Sequence, residues 1–289
     1  MKMNYESSVG YLLEVFSSFQ GEGGTVRGSC FGKKQIFIRF AGCNIAHKQF
    51  GTSGCFFCDT PEAQSFEAKK YQYEKTPSTQ IFSSGSNPIE KKHLLRIVNS
   101  LISTDLHSIS FTGGEPLCQL SFLLDGATAL KKNKIIYPLY LETNGSILPN
   151  ESQLSSMSNL FTYCCCDLKD KSSYAAEKTQ WKKLVQTELT FIKTMISINI
   201  LTFAKLVVTS ETKVHDIEWL AQKLSKIRYS DGYTVGLAIQ PVYLTQQKRV
   251  KKYSVSHEQL NRIFSAAAQF LPLESLTLSI QAHKFLDLL

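Results

Sequence analysis

The sequence lacks long apolar runs, a secretion signal and internal repeats. No apolar run reaches the roughly 18 residues that a membrane-spanning helix needs. The first residues, MKMNYESSVGYLLEVF, contain no apolar core of the kind that a cleavable signal peptide has. These features argue against a helical membrane protein or a secreted one, and they predict a protein of the cytoplasm.

The composition is typical of one globular domain. Of 289 residues, 43% are hydrophobic and 19% are charged, as in folded rather than disordered proteins. We predict a single domain over residues 1–289. The stretch 67–88, EAKKYQYEKTPSTQIFSSGSNP, is polar and rich in Ser, Thr and Pro. It predicts a loop insertion within that domain, because the motifs on its two sides belong together.

The chain is basic, with a formal net charge of +8. Part of this charge lies in one run, QQKRVKKY at 246–253. Such a run is more often a solvated surface than a nucleic-acid site. We therefore expect no direct nucleic-acid partner.

Short apolar runs alternate with longer helix-like stretches. The predicted strands are 35–40, 108–112, 137–143, 162–168, 204–209 and 234–240, and the predicted helices lie near 89–102, 118–133, 181–200, 213–227 and 257–270. Strands that are apolar throughout and alternate with helices favour a parallel sheet covered on both faces. Right-handed crossovers then curl the sheet. The sequence predicts an α/β fold, a partial TIM-type barrel of mostly parallel strands.

Three cysteines follow the first predicted strand and lack a fourth cysteine within reach. Cys43, Cys55 and Cys58 form the pattern C-x11-C-x2-C. In a cytosolic chain, clustered cysteines indicate metal or redox chemistry more often than disulfides. His47 would complete a Cys3His zinc site; alternatively, the fourth position is left open for another ligand.

Polar motifs also follow the next predicted strands. TGGEP occupies 112–116, ETNG occupies 142–145 and CDLKD occupies 166–170. In parallel α/β folds, ligands bind beyond the carboxyl ends of the strands, and paired glycines let the backbone approach a ligand closely. An ordinary turn accounts for either of the first two motifs alone. Their combination with the cysteine loop indicates a ligand site.

This combination resembles the radical S-adenosylmethionine (SAM) enzymes. The cysteine loop is similar to their iron–sulfur site, TGGEP to their GGE motif and ETNG to a further SAM contact. The resemblance implies that the three cysteines hold three irons of a [4Fe–4S] cluster and that SAM binds the fourth. Electron transfer into SAM then gives a 5′-deoxyadenosyl radical. A zinc module explains neither downstream turn.

Four more segments resemble the 7-carboxy-7-deazaguanine synthase family. They are EVFSSFQGEG (14–23), RFAGCN (39–44), CDT (58–60) and QAHKFL (281–286). The resemblance implies a ring contraction of 6-carboxy-5,6,7,8-tetrahydropterin to 7-carboxy-7-deazaguanine with release of ammonia, in queuosine biosynthesis, with SAM regenerated and Mg²⁺ assisting. The alternative is another radical SAM enzyme such as a glycyl-radical-enzyme activase, which leaves QGEG and QAHKFL without a role.

The resemblance also implies roles for single residues. It assigns substrate contacts to Gln20, Glu22, Arg39 and His283, and the magnesium position to Thr60. It assigns SAM contacts to Gly113, Gly114, Glu115, Thr143 and Asn144, with Asp167, Lys169 and Gln240 as weaker candidates. A buried ion pair is an equally good interpretation of Asp167 and Lys169.

The last expectations concern partners and the other cysteines. The resemblance implies a small-molecule pterin substrate and an electron donor such as flavodoxin or ferredoxin, and it allows a homodimer. Cys164, Cys165 and Cys166 are adjacent on a predicted strand. Because side chains alternate along a strand, these three thiols cannot share one cluster face. We expect them, like Cys30 and Cys118, to be packing residues.

Overall fold

The computed structural model describes residues 9–244 and 246–286. The strands of this part are β1 Val9–Gly10, β2 Leu12–Phe19, β3 Lys34–Phe40, β4 Lys70–Glu74, β5 Phe82–Ser86, β6 Ile89–Glu90, β7 Ser108–Gly113, β8 Leu139–Thr143, β9 Phe161–Leu168, β10 Leu201–Val208, β11 Gly236–Pro241 and β12 Leu276–Leu278. All except β1 and β6 form one sheet in the order β12-β11-β10-β9-β8-β7-β3-β2-β4-β5.

Most crossovers between the parallel strands contain a helix. The helices are α1 Lys91–Ser100, α2 Leu120–Lys132, α3 Glu151–Leu160, α4 Trp181–Ser197, α5 Val214–Leu224, α6 Gln247–Tyr253, α7 His257–Ala268 and α8 Ala282–Phe285. The sequence prediction missed α3, although Asn150 and Gln153 form a capping box at its start. It also missed the short helices α6 and α8.

The strands that the sequence analysis predicted from apolar runs lie in the parallel part of the sheet. From β3 through β7 to β12, each strand runs parallel to its neighbour. The carboxyl ends of these strands therefore lie at one edge of the sheet. The end strands β12 and β5 are not neighbours, so the curled sheet is an open barrel. The predicted fold class, a partial TIM-type barrel, is confirmed.

The stretch 67–88 is not a loop, contrary to the sequence prediction. It contains β4 and β5, an antiparallel hairpin that extends the sheet beyond β2. Tyr71 is almost fully buried, and Glu74 accepts hydrogen bonds from Ser17 N (2.8 Å) and Thr79 N (2.8 Å). Polar and aromatic residues alternate in KYQYE, the sequence of β4, as is typical of a strand. The Ser-rich, Pro-containing sequence around it concealed the hairpin.

Two apolar clusters lie on opposite faces of the sheet. The larger cluster packs the helices against the outer face and includes Cys164 and Cys166. The smaller one, which includes Cys165, Tyr140 and Phe203, fills the inside of the barrel. The three adjacent cysteines alternate between the faces, as predicted. Within the described residues, no helix combines the length and the apolar character needed to cross a bilayer.

Candidate active site

A cavity of about 400 Å³ opens at the carboxyl ends of the parallel strands. The residues that the sequence analysis singled out for a site line it, with the exceptions of Glu115 and His47: Gln20, Glu22, Arg39, Cys43, Cys55, Cys58, Thr60, Gly113, Gly114, Thr143, Asn144, Asp167, Lys169, Gln240 and His283. Segments from both ends of the chain therefore meet at one place. The lining is strongly charged, which suits a polar ligand more than an apolar one.

Glu115 is fully buried beside the cavity and connects its two turn motifs. Its carboxylate accepts hydrogen bonds from Thr143 Oγ1 (2.6 Å), from Asn144 N (2.7 Å) and from Leu117 N (3.0 Å). Burial raises its pKa, and these hydrogen bonds lower it again in part. Glu115 holds the ETNG turn against the TGGEP turn, and its contact with SAM stays a prediction.

The cysteine loop is fixed at both ends by its own backbone. Gly42 N donates to Ala63 O (2.8 Å), and Cys43 N donates to Gln64 O (3.1 Å). Between Cys55 and Cys58, the bond from Cys58 N to Cys55 O (3.1 Å) closes a turn. This turn brings both thiols to the cavity, where Cys43 also lies.

The three loop thiols are suited to holding an iron–sulfur cluster. None of them is in a disulfide. Burial raises the pKa of Cys43 and raises that of Cys55 to about 12, although the charge of Lys169 opposes the rise at Cys55. Such thiols keep their protons until a metal displaces them, so assembly of the cluster releases protons into the cavity.

The side chain of His47 contacts Gln64 and Phe66. Its Nε2 lies 3.1 Å from the carbonyl oxygen of Gln64, and its ring centroid is 4.7 Å from that of Phe66. The residue is exposed and does not line the cavity that the three cysteines share. The geometry therefore gives no support to a Cys3His zinc site.

Gly114 is a glycine because the backbone of the cysteine loop passes directly over it. A Cβ atom there would lie 2.3 Å from the carbonyl oxygens of both Ala63 and Gly42. Gly42 O also accepts a hydrogen bond from Glu115 N (2.8 Å). Neither carbonyl can move without disturbing the cysteine loop, so this contact couples the glycine turn to the metal-binding loop.

We expect Gly114→Ala to destabilise the protein by about 1–3 kcal/mol, the usual cost of overpacking, and to weaken SAM binding. Thermal unfolding and equilibrium SAM binding measure the two effects. Gly126→Ala in α2 is the matched control, because its Cβ would meet only Leu94 Cδ2 at 3.3 Å and alanine favours a helix. Equal behaviour of the two variants would contradict the coupling.

The sequence analysis missed five charged residues that line the cavity, Glu14, Asp59, Glu142, Lys205 and Lys284, and two of them lie within apolar strands of the parallel part of the sheet. Lys205 stands inside the apolar strand LTFAKLVV, and Glu142 inside LYLET. A lone charge within an otherwise apolar parallel strand was the available signal, because such a side chain must face a polar cavity or a partner. Both line the cavity.

Lys205 lies between two carboxylates of the cavity, those of Glu22 and Asp167. Its ammonium group pairs with Glu22 Oε2 and lies 3.8 Å from Asp167 Oδ1. Asp167 also pairs with Lys169. Burial raises the pKa of Asp167, but the charges of Lys169 and Lys205 outweigh it and hold the pKa below its usual value. Asp167 is therefore ionised and held between two lysines.

The carboxylate of Glu22 accepts hydrogen bonds from several polar side chains of the cavity. Its Oε1 accepts from Gln240 Nε2 (3.1 Å) and from Gln281 Nε2 (2.8 Å). Ligand atoms of Glu22, Asp59 and His283 all lie within 4.8 Å of one another. Burial lowers the pKa of His283, which favours its neutral ring despite the charge of Glu22.

Gln20 and Arg39 have protein partners at the cavity wall. Gln20 donates to Glu142 Oε1 (2.8 Å) and accepts from Glu22 N (3.1 Å). Arg39 Nε donates to Glu14 Oε1 (2.7 Å). Its Nη1 donates to Thr60 Oγ1 (3.3 Å), and the side chain lines the cavity.

Comparison with known proteins agrees with this arrangement. A family model described as a 4Fe-4S single cluster domain matches residues 20–188. The 7-carboxy-7-deazaguanine synthase of Thermococcus kodakarensis is 35% identical over 279 residues, which cover 96% of this chain and 98% of that protein. The chain belongs to the 7-carboxy-7-deazaguanine synthase family. The family predicted from the sequence is thereby confirmed.

Other family members are similar over comparable lengths. The enzyme of the same name from Methanocaldococcus jannaschii is 31% identical over 281 residues, which cover 96% of this chain and all of that protein. Among solved structures, the crystal structure of QueE from Escherichia coli matches with a TM-score of 0.55 and 20% identity, covering 95% of each chain. At that identity the structural match supports the fold.

Proposed function

We propose that this protein is a radical SAM enzyme that contracts 6-carboxy-5,6,7,8-tetrahydropterin to 7-carboxy-7-deazaguanine and releases ammonia. The observation that carries the proposal is the convergence of the three cysteines, the two turns and the QGEG segment on one polar cavity. Membership of a family whose curated relatives bear the name of this activity supports the same reaction.

Cys43, Cys55 and Cys58 would hold the [4Fe–4S] cluster, because these three free thiols face one cavity. Cys165 also lines the cavity, but it packs in the inner apolar cluster. With SAM bound, the cluster would supply the electron that cleaves SAM, and the radical fragment of SAM would then take a hydrogen atom from the substrate. Gly113, Gly114, Thr143 and Asn144 line the same cavity, and we assign them to contacts with SAM.

Recognition of the pterin is assigned to Glu22 and the polar residues near it. Glu22 can accept one more hydrogen bond, since a carboxylate has about four acceptor positions and three donors reach this one. We assign it to the N–H groups of the pterin. Arg39 is assigned to the substrate carboxylate, His283 to a further substrate contact, and Gln20 to positioning Glu22 and Glu142.

Two carboxyl groups that line the cavity are suited to interact with a ligand. Glu142 is suited to exchange a proton with it, and Asp167 to accept a hydrogen bond from it. Burial raises the pKa of Glu142, and the charge of Glu22 adds to the rise, while Lys205 opposes it. This carboxyl can therefore take up a proton closer to neutrality. Asp167 Oδ1 is buried and accepts no hydrogen bond from the described residues. We assign that oxygen to an N–H or O–H group of SAM or substrate.

Magnesium is proposed to bind at Thr60, with Asp59 as an additional ligand. Thr60 Oγ1 lies 3.3 Å from Asp59 Oδ1. Burial raises the pKa of Asp59, but Lys284 and other nearby cations lower it below its usual value, so the carboxylate is ionised. Mg²⁺ favours such hard oxygen ligands and takes the rest from substrate and water.

Three expectations from the sequence remain proposals: a single domain, a cytoplasmic location and a homodimer. The continuous ten-stranded sheet supports the first. The eight free cysteines support a reducing compartment.

The reaction is tested with the full chain, reconstituted anaerobically with iron and sulfide. After reduction with dithionite, the enzyme is incubated with SAM, Mg²⁺ and the carboxytetrahydropterin, and products are identified by mass. We expect 7-carboxy-7-deazaguanine and ammonia, no net loss of SAM, and less product after chelation of Mg²⁺. An intact cluster that yields no deazaguanine would overturn the assignment and favour another radical SAM reaction.

A further inference from the structure

Helix α6 forms a basic surface beside the cysteine loop. Residues 241–256 contain four basic residues and no acidic one. Lys248, Lys251 and Lys252 are exposed. Across residues 9–244 and 246–286, no ion pair joins any of these three lysines to a carboxylate. We call this set of three lysines the α6 surface.

The fourth basic residue, Arg249, attaches α6 to the loop that carries the cysteines. Its guanidinium donates to the carbonyl oxygen of Phe56 and lies 5.4 Å from the centre of the Phe56 ring. The ring of Tyr253, on the same helix, packs against the Phe56 ring at an angle of 44°, with centroids 4.6 Å apart. Phe56 follows Cys55 directly in the chain. The α6 surface is thus held against the backbone that carries two of the three cluster ligands.

We propose that the α6 surface is the docking site for an acidic one-electron-transfer protein that reduces the cluster. The inference rests on the proposed function, which requires an electron to enter the [4Fe–4S] centre. In this step the donor loses one electron and the cluster gains it, and no bond is formed or broken. An exposed patch of one sign attracts a partner of the opposite sign and accelerates encounter.

The geometry favours a protein partner over a nucleic acid. The charge is confined to one helix of seven residues, whereas proteins that bind single-stranded nucleic acid use an extended basic groove with stacking aromatic side chains. Here the aromatic rings of Phe56 and Tyr253 pack on each other, with Arg249 over the first and Lys252 over the second. Electron-transfer complexes are small and transient, which suits a three-lysine surface.

The test compares two triple variants of the full, cluster-loaded chain. The first carries Lys248→Gln, Lys251→Gln and Lys252→Gln. The control carries Lys131→Gln, Lys132→Gln and Lys134→Gln, three exposed lysines in the last turn of α2 and just after it, where the chain leads into the amino end of β8. Stopped-flow absorbance follows cluster reduction by the hydroquinone of an acidic flavodoxin and, separately, by dithionite.

We expect the flavodoxin rate of the α6 variant to fall by at least about 10-fold at low ionic strength, with the difference shrinking as salt is added. The control variant and all dithionite rates should match the wild type. Equal flavodoxin rates in the two variants would overturn the proposal, as would an equal slowing with both reductants. Normal reduction together with lost binding of a labelled tRNA would instead identify a nucleic-acid surface and overturn it.

This test is independent of the proposed reaction. The dithionite-reduced α6 variant is assayed for deazaguanine in parallel. Product at the wild-type rate, together with slow reduction by flavodoxin, supports docking at α6. Absence of product from the dithionite-reduced wild type would overturn the proposed function, while the flavodoxin rates would still decide the docking surface.

Discussion

Replacing Cys55 with alanine is expected to remove the iron–sulfur centre and all detectable deazaguanine formation. Two thiols would remain where three are needed, because thiolates are the cluster's protein ligands. The fold should persist, since Cys55 is only a peripheral member of the small apolar cluster around Ile45 and Phe50. A surface-loop substitution of this size costs about 1 kcal/mol. Iron and sulfide content, the brown absorbance and product yield measure the outcome.

Cys30→Ala is the matched control for this variant. Cys30 is also a free, buried thiol, and burial raises its pKa to about 12, but it packs in the inner apolar cluster beneath the cavity. This variant should bind iron and sulfide as the wild type does. Full iron content in Cys55→Ala, or its loss in Cys30→Ala, would contradict the ligand assignment. A colourless wild type that binds zinc after anaerobic reconstitution would contradict the cluster itself.

The sequence located most cavity residues because they occur in short local motifs. QGEG, TGGEP and ETNG each place several residues next to one another, and each follows or precedes an apolar strand. Parallel pairing then brings strand ends together, as in the alignment of Phe40 with Gly113 between β3 and β7. A pattern of strands and helices was therefore enough to predict that TGGEP and ETNG meet the cysteine loop, whereas QGEG was assigned to the site by the family resemblance.

Single charges within strands could not be placed in the same way. The partners of Lys205 are Glu22, 183 residues earlier in the chain, and Asp167 on the neighbouring strand. Only the tertiary structure brings these groups together. The role of Glu115 was also out of reach, because a carboxylate in a glycine-rich turn serves a ligand or a neighbouring backbone equally well. The hairpin at 67–88 was concealed by turn-forming residues between its strands.

Replacing Lys205 with methionine is expected to have the second large effect. The change keeps the length of the side chain but removes the cation between Glu22 and Asp167. Removing one partner of a buried charge pair costs about 2–5 kcal/mol of binding free energy. We therefore expect kcat/KM for the pterin to fall about 100-fold, which corresponds to about 2.7 kcal/mol. The cluster content should stay at the wild-type level, because Lys205 touches no cysteine ligand.

The pH dependence of stability should also change in Lys205→Met. In the wild type, Asp167 has a lowered pKa, so its contribution to stability is present above the pKa of the unfolded chain and is lost as pH falls through the folded value. Without Lys205, the pKa of Glu142 rises further, and that of Asp167 rises too. Folded carboxyls with raised pKa values bind protons more tightly than unfolded ones, so the variant loses stability as pH rises through that range.

Chemical denaturation at about pH 5 and about pH 7 measures this change. The stability deficit of Lys205→Met relative to the wild type should be larger at the higher pH. Lys205→Arg keeps the charge and should restore the wild-type pH trend, while Lys193→Met, on the exposed face of α4, should leave both stability and kcat/KM unchanged. A deficit that is the same at both pH values would mean that Lys205 acts through packing, and that the carboxylates on the two cavity walls do not depend on its charge.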